Sequence, residues 1–467
     1  MRFRAVAIVL VLAACSGSGS PTAAPTTTVP TTTSAPTTAP PPPTTVSPLT
    51  AIVGCPDAGP YAAPDLRRPT YTAAMTVHPE SGTVDGSLTV RFTADLPTPD
   101  LVFRLWANAP VVASSGSHIE VGPFAGGLTM EQPDPTTVIV HLATPLSAGD
   151  SVTVAAPFTL TVPGPNDDRV ARDGDTMRLG SVLPMLAWEP GVGWATDPPT
   201  TVHAEATTSP AADYDVAIDV SSSYDVLATG VEGEDHHWRA AAVRDFALSI
   251  GHFDTASAVV DGISVTVGVD SSVTEDPNVQ LALITDALHA YAGRFGPYPW
   301  PSYTVAVTPG FHGGIEFPNH VMQAPGSAAR SVVHEVAHQW FYSLVGNDQA
   351  RDPWLDEALA SYVEFVEQGT LGAMAARGVP DGVRGHAGDP MSFWEGRDSS
   401  YYAGVYVQGA VALASLGTVD QVDCALRAYV ARNAYRIATP VDLLGALTPS
   451  FADAEAQLAA TGVAIRR

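Results

Sequence analysis

Two histidines four residues apart, His334 and His338, flank Glu335 in the run His334-Glu335-Val336-Ala337-His338, and Glu357 follows at the nineteenth position after the second histidine. On a helix, residues four apart share a face, so both imidazoles can present a nitrogen to one metal ion. Glu335 lies between them, rotated off that axis. There a carboxylate takes a proton from a water at the metal without itself becoming a ligand. Two His and one Glu leave a fourth position open, which is the catalytic rather than the structural zinc pattern. One Zn2+ per chain is therefore expected, held by His334, His338 and Glu357, with Glu335 as general base.

The flanking residues predict how these groups are positioned. Val332, Val333, Val336, Ala337, Trp340, Phe341, Leu344 and Val345 give the first segment a helical, buried character. A buried helix that carries His, Glu and His needs a reason to bury them. A turn is expected at Val345-Gly346-Asn347-Asp348, then a second helix with Asp352 as N-cap and Pro353 at the first helical position. Glu357 falls in its first turns, facing back across the hairpin. Glu364, two turns further along nearly the same face, reads as an exposed helix glutamate, with orientation of a ligand histidine as the alternative.

The run from His334 to Tyr362, HEVAHQWFYSLVGNDQARDPWLDEALASY, resembles the zinc aminopeptidases of the aminopeptidase N type, gluzincins with HExxH, eighteen residues and a Glu within WLxE. Gly313-Gly314-Ile315-Glu316 resembles that family's GxMEN exopeptidase motif, Tyr406-Val407-Gln408-Gly409 its YxKG motif, and Phe295-Gly296-Pro297-Tyr298-Pro299 its FGPYP run. The resemblance covers most of the chain after about residue 60 and is strongest between 290 and 410. It implies that Tyr406 donates a hydrogen bond to the oxyanion of the tetrahedral intermediate. It also implies that Glu316 binds the free α-amine of the substrate, which distinguishes an aminopeptidase from an endopeptidase. Gly313 and Gly314 would let the strand backbone approach a peptide closely.

Two positions depart from the pattern. Phe317 stands where the family has asparagine, with Asn319 two positions later, and Gln408 replaces the YxKG lysine; the chain has no lysine, so all 22 basic residues are arginine. Glu189 is a candidate second anchor for the amine. His312 and His320 flank the Gly-Gly-Ile-Glu strand, where they either line the cleft or only pack.

At the amino terminus, Arg2 and Arg4 precede an apolar stretch, Ala5 to Leu12, too short to span a bilayer and of signal-peptide length. It ends in Leu12-Ala13-Ala14-Cys15, which resembles a bacterial lipoprotein box. Residues 1–14 are thus expected to be a signal peptide and Cys15 a lipidated first residue. Two acyl chains suffice for stable anchoring on the outer face of the bacterial cell membrane. Residues 15–53, rich in Thr, Pro, Ser and Ala, cannot bury a core and read as a disordered tether.

The remaining stretch suits two domains of an α+β protein. Short alternating segments, among them Val84 to Phe92, Leu101 to Trp106, Thr137 to Leu142 and Val152 to Leu160, predict an antiparallel β domain over 54–250. Tyr214 to Val220 and the run ending at Ile250 continue it. From Gly251 strands give way to helices, including Leu281 to Arg294 and Tyr406 to Leu416. The resemblance makes the first part the family's saddle-shaped β domain and 251–467 a thermolysin-like metallopeptidase domain. The large carboxyl-terminal helical domain of many relatives is not expected, which implies a more open cleft.

With Cys15 lipidated, Cys55 and Cys424 are the two cysteines left to form a disulfide. The net charge of −26 argues against nucleic acid as a partner. Peptides are the expected substrates, with removal of amino-terminal residues as the leading reading. A zinc endopeptidase or a small-molecule hydrolase on the same site is the alternative, and a non-catalytic surface module a third.

Overall fold

The structure, a computed structural model, describes residues 55–202 and 208–466. The signal peptide, Cys15 and the tether lie outside the described residues.

The amino-terminal part is rich in sheet. Seven strands lie side by side in the order Val231–Glu232, His237–Val243, Ala212–Asp219, Thr70–His78, Thr83–Thr93, Ser151–Thr161 and His118–Val121. The expectation of a purely antiparallel domain fails at one pair, because Thr70–His78 and Ala212–Asp219 run parallel. In that register Tyr71 faces Tyr214, and their rings stack 4.6 Å apart. The Tyr71 hydroxyl also accepts from the Leu186 backbone N–H at 2.9 Å, so the pair is tied to a neighbouring sheet. Such a pair joins strands distant in sequence, and local alternation carries no sign of direction.

Two four-stranded sheets follow, one built on Thr98–Arg104 and Thr137–Leu146, the other on Thr176–Leu179 and Leu248–Gly251. Strands do not give way at Gly251. Residues 253 to 323 form a five-stranded sheet in the order Phe253–Val260, Ile263–Asp270, Ser302–Val307, His320–Gln323 and Gly314–Ile315. Its three central strands are parallel. Parallel neighbours need a crossover, and the helix Pro277–Phe295 supplies it between the second and third strands. That helix is capped by the Asp276 side chain and has Pro277 in its first turn.

From Ala329 the chain is helical. Ala329–Ala337 and Trp354–Glu367 form the expected hairpin, and Val419–Asn433 packs against Pro277–Phe295. Cys55 and Cys424 form a disulfide. One residue before Cys424 on the same helix, Asp423 pairs with Arg294 at 2.7 Å and accepts from the Tyr362 hydroxyl at 3.2 Å.

Buried Arg244 bolts the hairpin loop to the sheet-rich part. Its guanidinium donates to the carbonyls of Tyr342, Ser209 and Arg436. Burial lowers its pKa to about 10, which leaves it charged at neutral pH. Gly346 is required beside it, since a Cβ there would come within 2.1 Å of the guanidinium carbon.

Candidate active site

The first metal helix, Ala329–Ala337, ends at His338, which is its C-cap. His334 Nε2 and His338 Nε2 lie 3.0 Å apart, and each is 3.4 Å from Glu357 Oε2. Tetrahedral zinc with bonds of about 2.0–2.2 Å sets its ligand atoms about 3.3–3.5 Å from one another. The two distances to Glu357 match that spacing, and the two imidazole nitrogens lie slightly closer together. All three residues are buried, and Glu357 Oε2 accepts no hydrogen bond. A buried carboxylate oxygen without a donor, aimed at the same point as two imidazole nitrogens, is what a metal ligand looks like before the ion is added.

The imidazoles are fixed from behind. His338 Nδ1 donates to the Phe341 carbonyl at 3.1 Å, which reserves the Nε2 lone pair for a metal. His334 Nδ1 lies 3.2 Å from Glu364 Oε2. Glu364 is therefore not the exposed helix residue expected from sequence: it is 4% exposed and faces a ligand histidine. Burial alone would lower the His334 pKa, but Glu357 and Glu364 overcome it and raise it to about 9. Burial would raise that of Glu357, yet the two imidazoles bring it down to about 2. The pocket thus favours positive charge at its centre.

Asp352 does not cap the second metal helix. Pro353 stands at its N-cap with helical backbone angles and no side-chain cap bond. Asp352 contributes its carbonyl, which accepts from Leu355 N–H at 3.1 Å and from Asn347 Nδ2 at 2.9 Å. The difference is one residue at a helix end.

Glu335 is buried beside the strand Gly314–Ile315. A Cβ on Gly314 would lie 2.5 Å from the Glu335 carboxyl carbon, so the glycine makes room for that side chain. Gly313 takes a φ of 79°, a left-handed conformation that favours glycine. Glu316 is buried, with a carboxylate oxygen in a cluster with Glu335 and His338 whose candidate ligand atoms all lie within 4.8 Å. Gln339, next to His338, holds this strand to the metal helix: its Oε1 accepts from Asn319 N–H at 2.9 Å and its Nε2 donates to Phe317 O at 3.3 Å.

Tyr406 lies in a π-helical turn, Tyr402–Val407, that leads into the helix Gln408–Ala414. Such turns rotate a side chain out of the regular helical register and recur at functional sites. The Tyr406 ring stacks on His334, and its hydroxyl donates to Glu357 Oε1 at 2.5 Å. Burial and the neighbouring Glu357 raise its pKa well above the usual range, so the phenol stays a donor.

The two motif departures have local explanations. Phe317 is buried against Gly180, where a Cβ would meet the ring at 2.2 Å. Asn319 is also buried and accepts from Gly230 N–H through Oδ1 at 2.5 Å, which makes it part of the framework. Gln408 donates to the Gly404 carbonyl at 3.0 Å and accepts from Gly385 N–H at 2.9 Å, a pair of bonds that a lysine cannot make.

A cleft of about 380 Å3 opens over the metal ligands. Besides the groups above, it is lined from the sheet-rich part by Trp106, Val112, Asp167, Asp168 and Arg169. Glu189 is not among its lining residues; its carboxylate lies 3.8 Å from Arg351. His312 lines the cleft, exposed, with Nδ1 3.3 Å from Asp167. His320 packs in the interior between Ser249 and Thr304, and burial lowers its pKa to about 3. Sequence reasoning missed Arg330, which also lines the cleft; its position one turn before His334 was the available signal.

Residues 280–378 match the Peptidase family M1 domain. Human endoplasmic reticulum aminopeptidase 1 is 30% identical over 138 residues, which are 26% of this chain and 15% of the relative. Mouse aminopeptidase B is 29% identical over 150 residues, 27% of this chain and 22% of the relative. This chain therefore spans less than a quarter of the length of either. An M1 zinc metallopeptidase from Deinococcus radiodurans has the same fold, with a TM-score of 0.63 and 21% identity over 86% of this chain and 95% of that one. His334, His338 and Glu357 all lie within the residues that match the Peptidase family M1 domain.

Proposed function

We propose that the chain is a zinc-dependent metallopeptidase that removes amino-terminal residues from extracellular peptides. The observation that carries this reading is the convergence of His334, His338 and Glu357 at zinc spacing, with Glu335 and Glu316 on the same cleft wall. The aminopeptidase names of the relatives support it.

Zinc, when bound here, supplies a Lewis acid that acidifies water and polarises a carbonyl. The chain does the rest. Glu316 pairs with the substrate's α-ammonium and sets the first peptide bond over the metal ligands. Glu335 takes the proton of the attacking water and passes it to the departing amine. Tyr406 is a neutral donor whose hydroxyl rests on Glu357 and transfers to the oxyanion as negative charge develops. Phe341 O and Glu364 keep both imidazoles oriented throughout.

The same proposal assigns 54–250 as the β domain that walls the cleft and 251–467 as the catalytic domain. It also includes a lipid on Cys15 that anchors the enzyme outside the cell, with 15–53 as tether. The support is the sequence Leu12-Ala13-Ala14-Cys15 and the Thr/Pro-rich run behind it.

The full chain should hydrolyse aminoacyl reporters and peptides with a free amino end, and lose that activity to a chelator. Glu335→Gln should lower kcat by about 10^3-fold with zinc retained. Glu316→Ala should weaken turnover of free-amine peptides by about 100-fold while leaving amino-blocked peptides no better served. Equal rates on free and blocked peptides in the wild type would make it an endopeptidase.

A further inference from the structure

Arg330 stands in the first turn of the helix Ala329–Ala337, one turn ahead of His334 and therefore on the face that carries both histidines. Its side chain is 49% exposed and lines the cleft. Nη1 donates to the Tyr402 hydroxyl at 3.1 Å and lies 3.8 Å from Glu364 Oε1. A guanidinium has five N–H donors in a planar fork, so most of its donor capacity is left for a ligand.

The order of charges along this helix sets a direction. Glu316 clusters with His338, at the carboxyl-terminal end. Arg330 is at the other end, eight residues earlier, or about 12 Å of helix rise. The metal ligands lie between an acidic group and a basic one. A peptide whose amine sits at Glu316 and whose first carbonyl sits over the metal ligands runs its leaving-group side toward Arg330. An extended chain advances about 3.3–3.6 Å per residue, so the end of a di- or tripeptide falls within reach of a guanidinium. The cleft volume, about 380 Å3, is near the lower end of the usual range of roughly 300–1,000 Å3 for ligand sites. Arg169, the other cation of the cleft lining, belongs to the sheet-rich wall and lies 3.5 Å from Asp168.

We propose that Arg330 binds the free α-carboxylate of di- and tripeptides, which makes this site selective for short peptides with both ends free. The proposal rests on the aminopeptidase reading above and adds the recognition of the far end. A guanidinium left opposite a neutral amide forfeits a charge-assisted bidentate pair, so the discrimination appears between acid and amide forms of one peptide.

The test compares Ala-Ala and Ala-Ala-Ala with their carboxyl-terminal amides, and with Ala-Asp amide, using the zinc-loaded full chain. The expected result is a kcat/KM about tenfold or more higher for the free acids, carried mainly by KM. In Arg330→Gln the acid and amide rates should converge to within about twofold, and Arg330→Lys should restore part of the preference. The wild-type comparison stands even if a variant fails to fold. Equal wild-type rates on acids and amides overturn the proposal while leaving the aminopeptidase reading intact. A rate on Ala-Asp amide as high as on the free acids also overturns it, because a side-chain carboxylate is then what is read. Absence of any turnover of free-amine peptides is the separate failure of the aminopeptidase reading.

Discussion

Two clusters of acids meet the stretch from Asn347 to Glu364, and they obtain their countercharge in opposite ways. In the first, Glu357 meets two imidazoles and Glu364 backs one of them, with the lone pairs of three ligand atoms turned toward a common centre. In the second, Asp197, Asp348 and Glu189 surround the guanidinium of Arg351 at 2.9, 3.5 and 3.8 Å. The chain fills the second centre itself. The first is built for a cation from outside. The pKa directions agree: the imidazoles hold Glu357 down, whereas burial and neighbouring acids raise Glu189 and Asp348. A cluster of carboxylates is thus a poor guide to a metal site until what stands among them is known.

The comparison is most exposed at Glu364. If it serves His334, Glu364→Gln should weaken zinc affinity about 10- to 100-fold, read by competition with a chelator, with little change in thermal stability of the zinc-free protein. An unchanged affinity would make Glu364 merely a buried neighbour. Arg351→Met should do the reverse. It leaves Asp348 and Glu189 without their cation and should reduce stability by about 1–2 kcal/mol, discounted because Arg351 is half exposed, with zinc affinity unchanged.

The smallest effect concerns pH. Burial and Asp348 raise the Asp352 carboxyl to about 7. Its folded-state pKa then exceeds its unfolded value of about 4, so the folded form holds a proton that the unfolded form has lost. That contribution to stability is full in acid, declines as pH rises from about 4, and is gone above about 7. Asp352→Asn should therefore melt higher than wild type by a margin that grows between pH 5 and pH 8, on the order of 1 kcal/mol. A margin independent of pH would show that Asp352 titrates normally.

The metal site is the part most visible in the chain, because its information is local. Spacing places His334 and His338 on one face, and the helix–turn–helix signals bring Glu357 near them. Glu364 was only half legible, since periodicity gives the face a residue occupies but not what covers it. Tyr406 was recognised from its motif, while the π-helical turn that aims it has no spacing signature. The Arg351 cluster was invisible: Glu189 and Asp197 come from more than a hundred residues upstream, and only tertiary packing joins them. The parallel pair of Thr70–His78 with Ala212–Asp219 was hidden for the same reason.

X-ray absorption at the zinc edge of the purified full chain, paired with metal analysis of His338→Ala, tests the central claim most directly. The expected result is one zinc per chain in a first shell of two imidazole nitrogens and oxygen donors at about 2.0–2.2 Å, lost in the variant. A protein that holds no zinc from zinc-replete buffer, or a variant that keeps it with the same shell, would contradict the site described here.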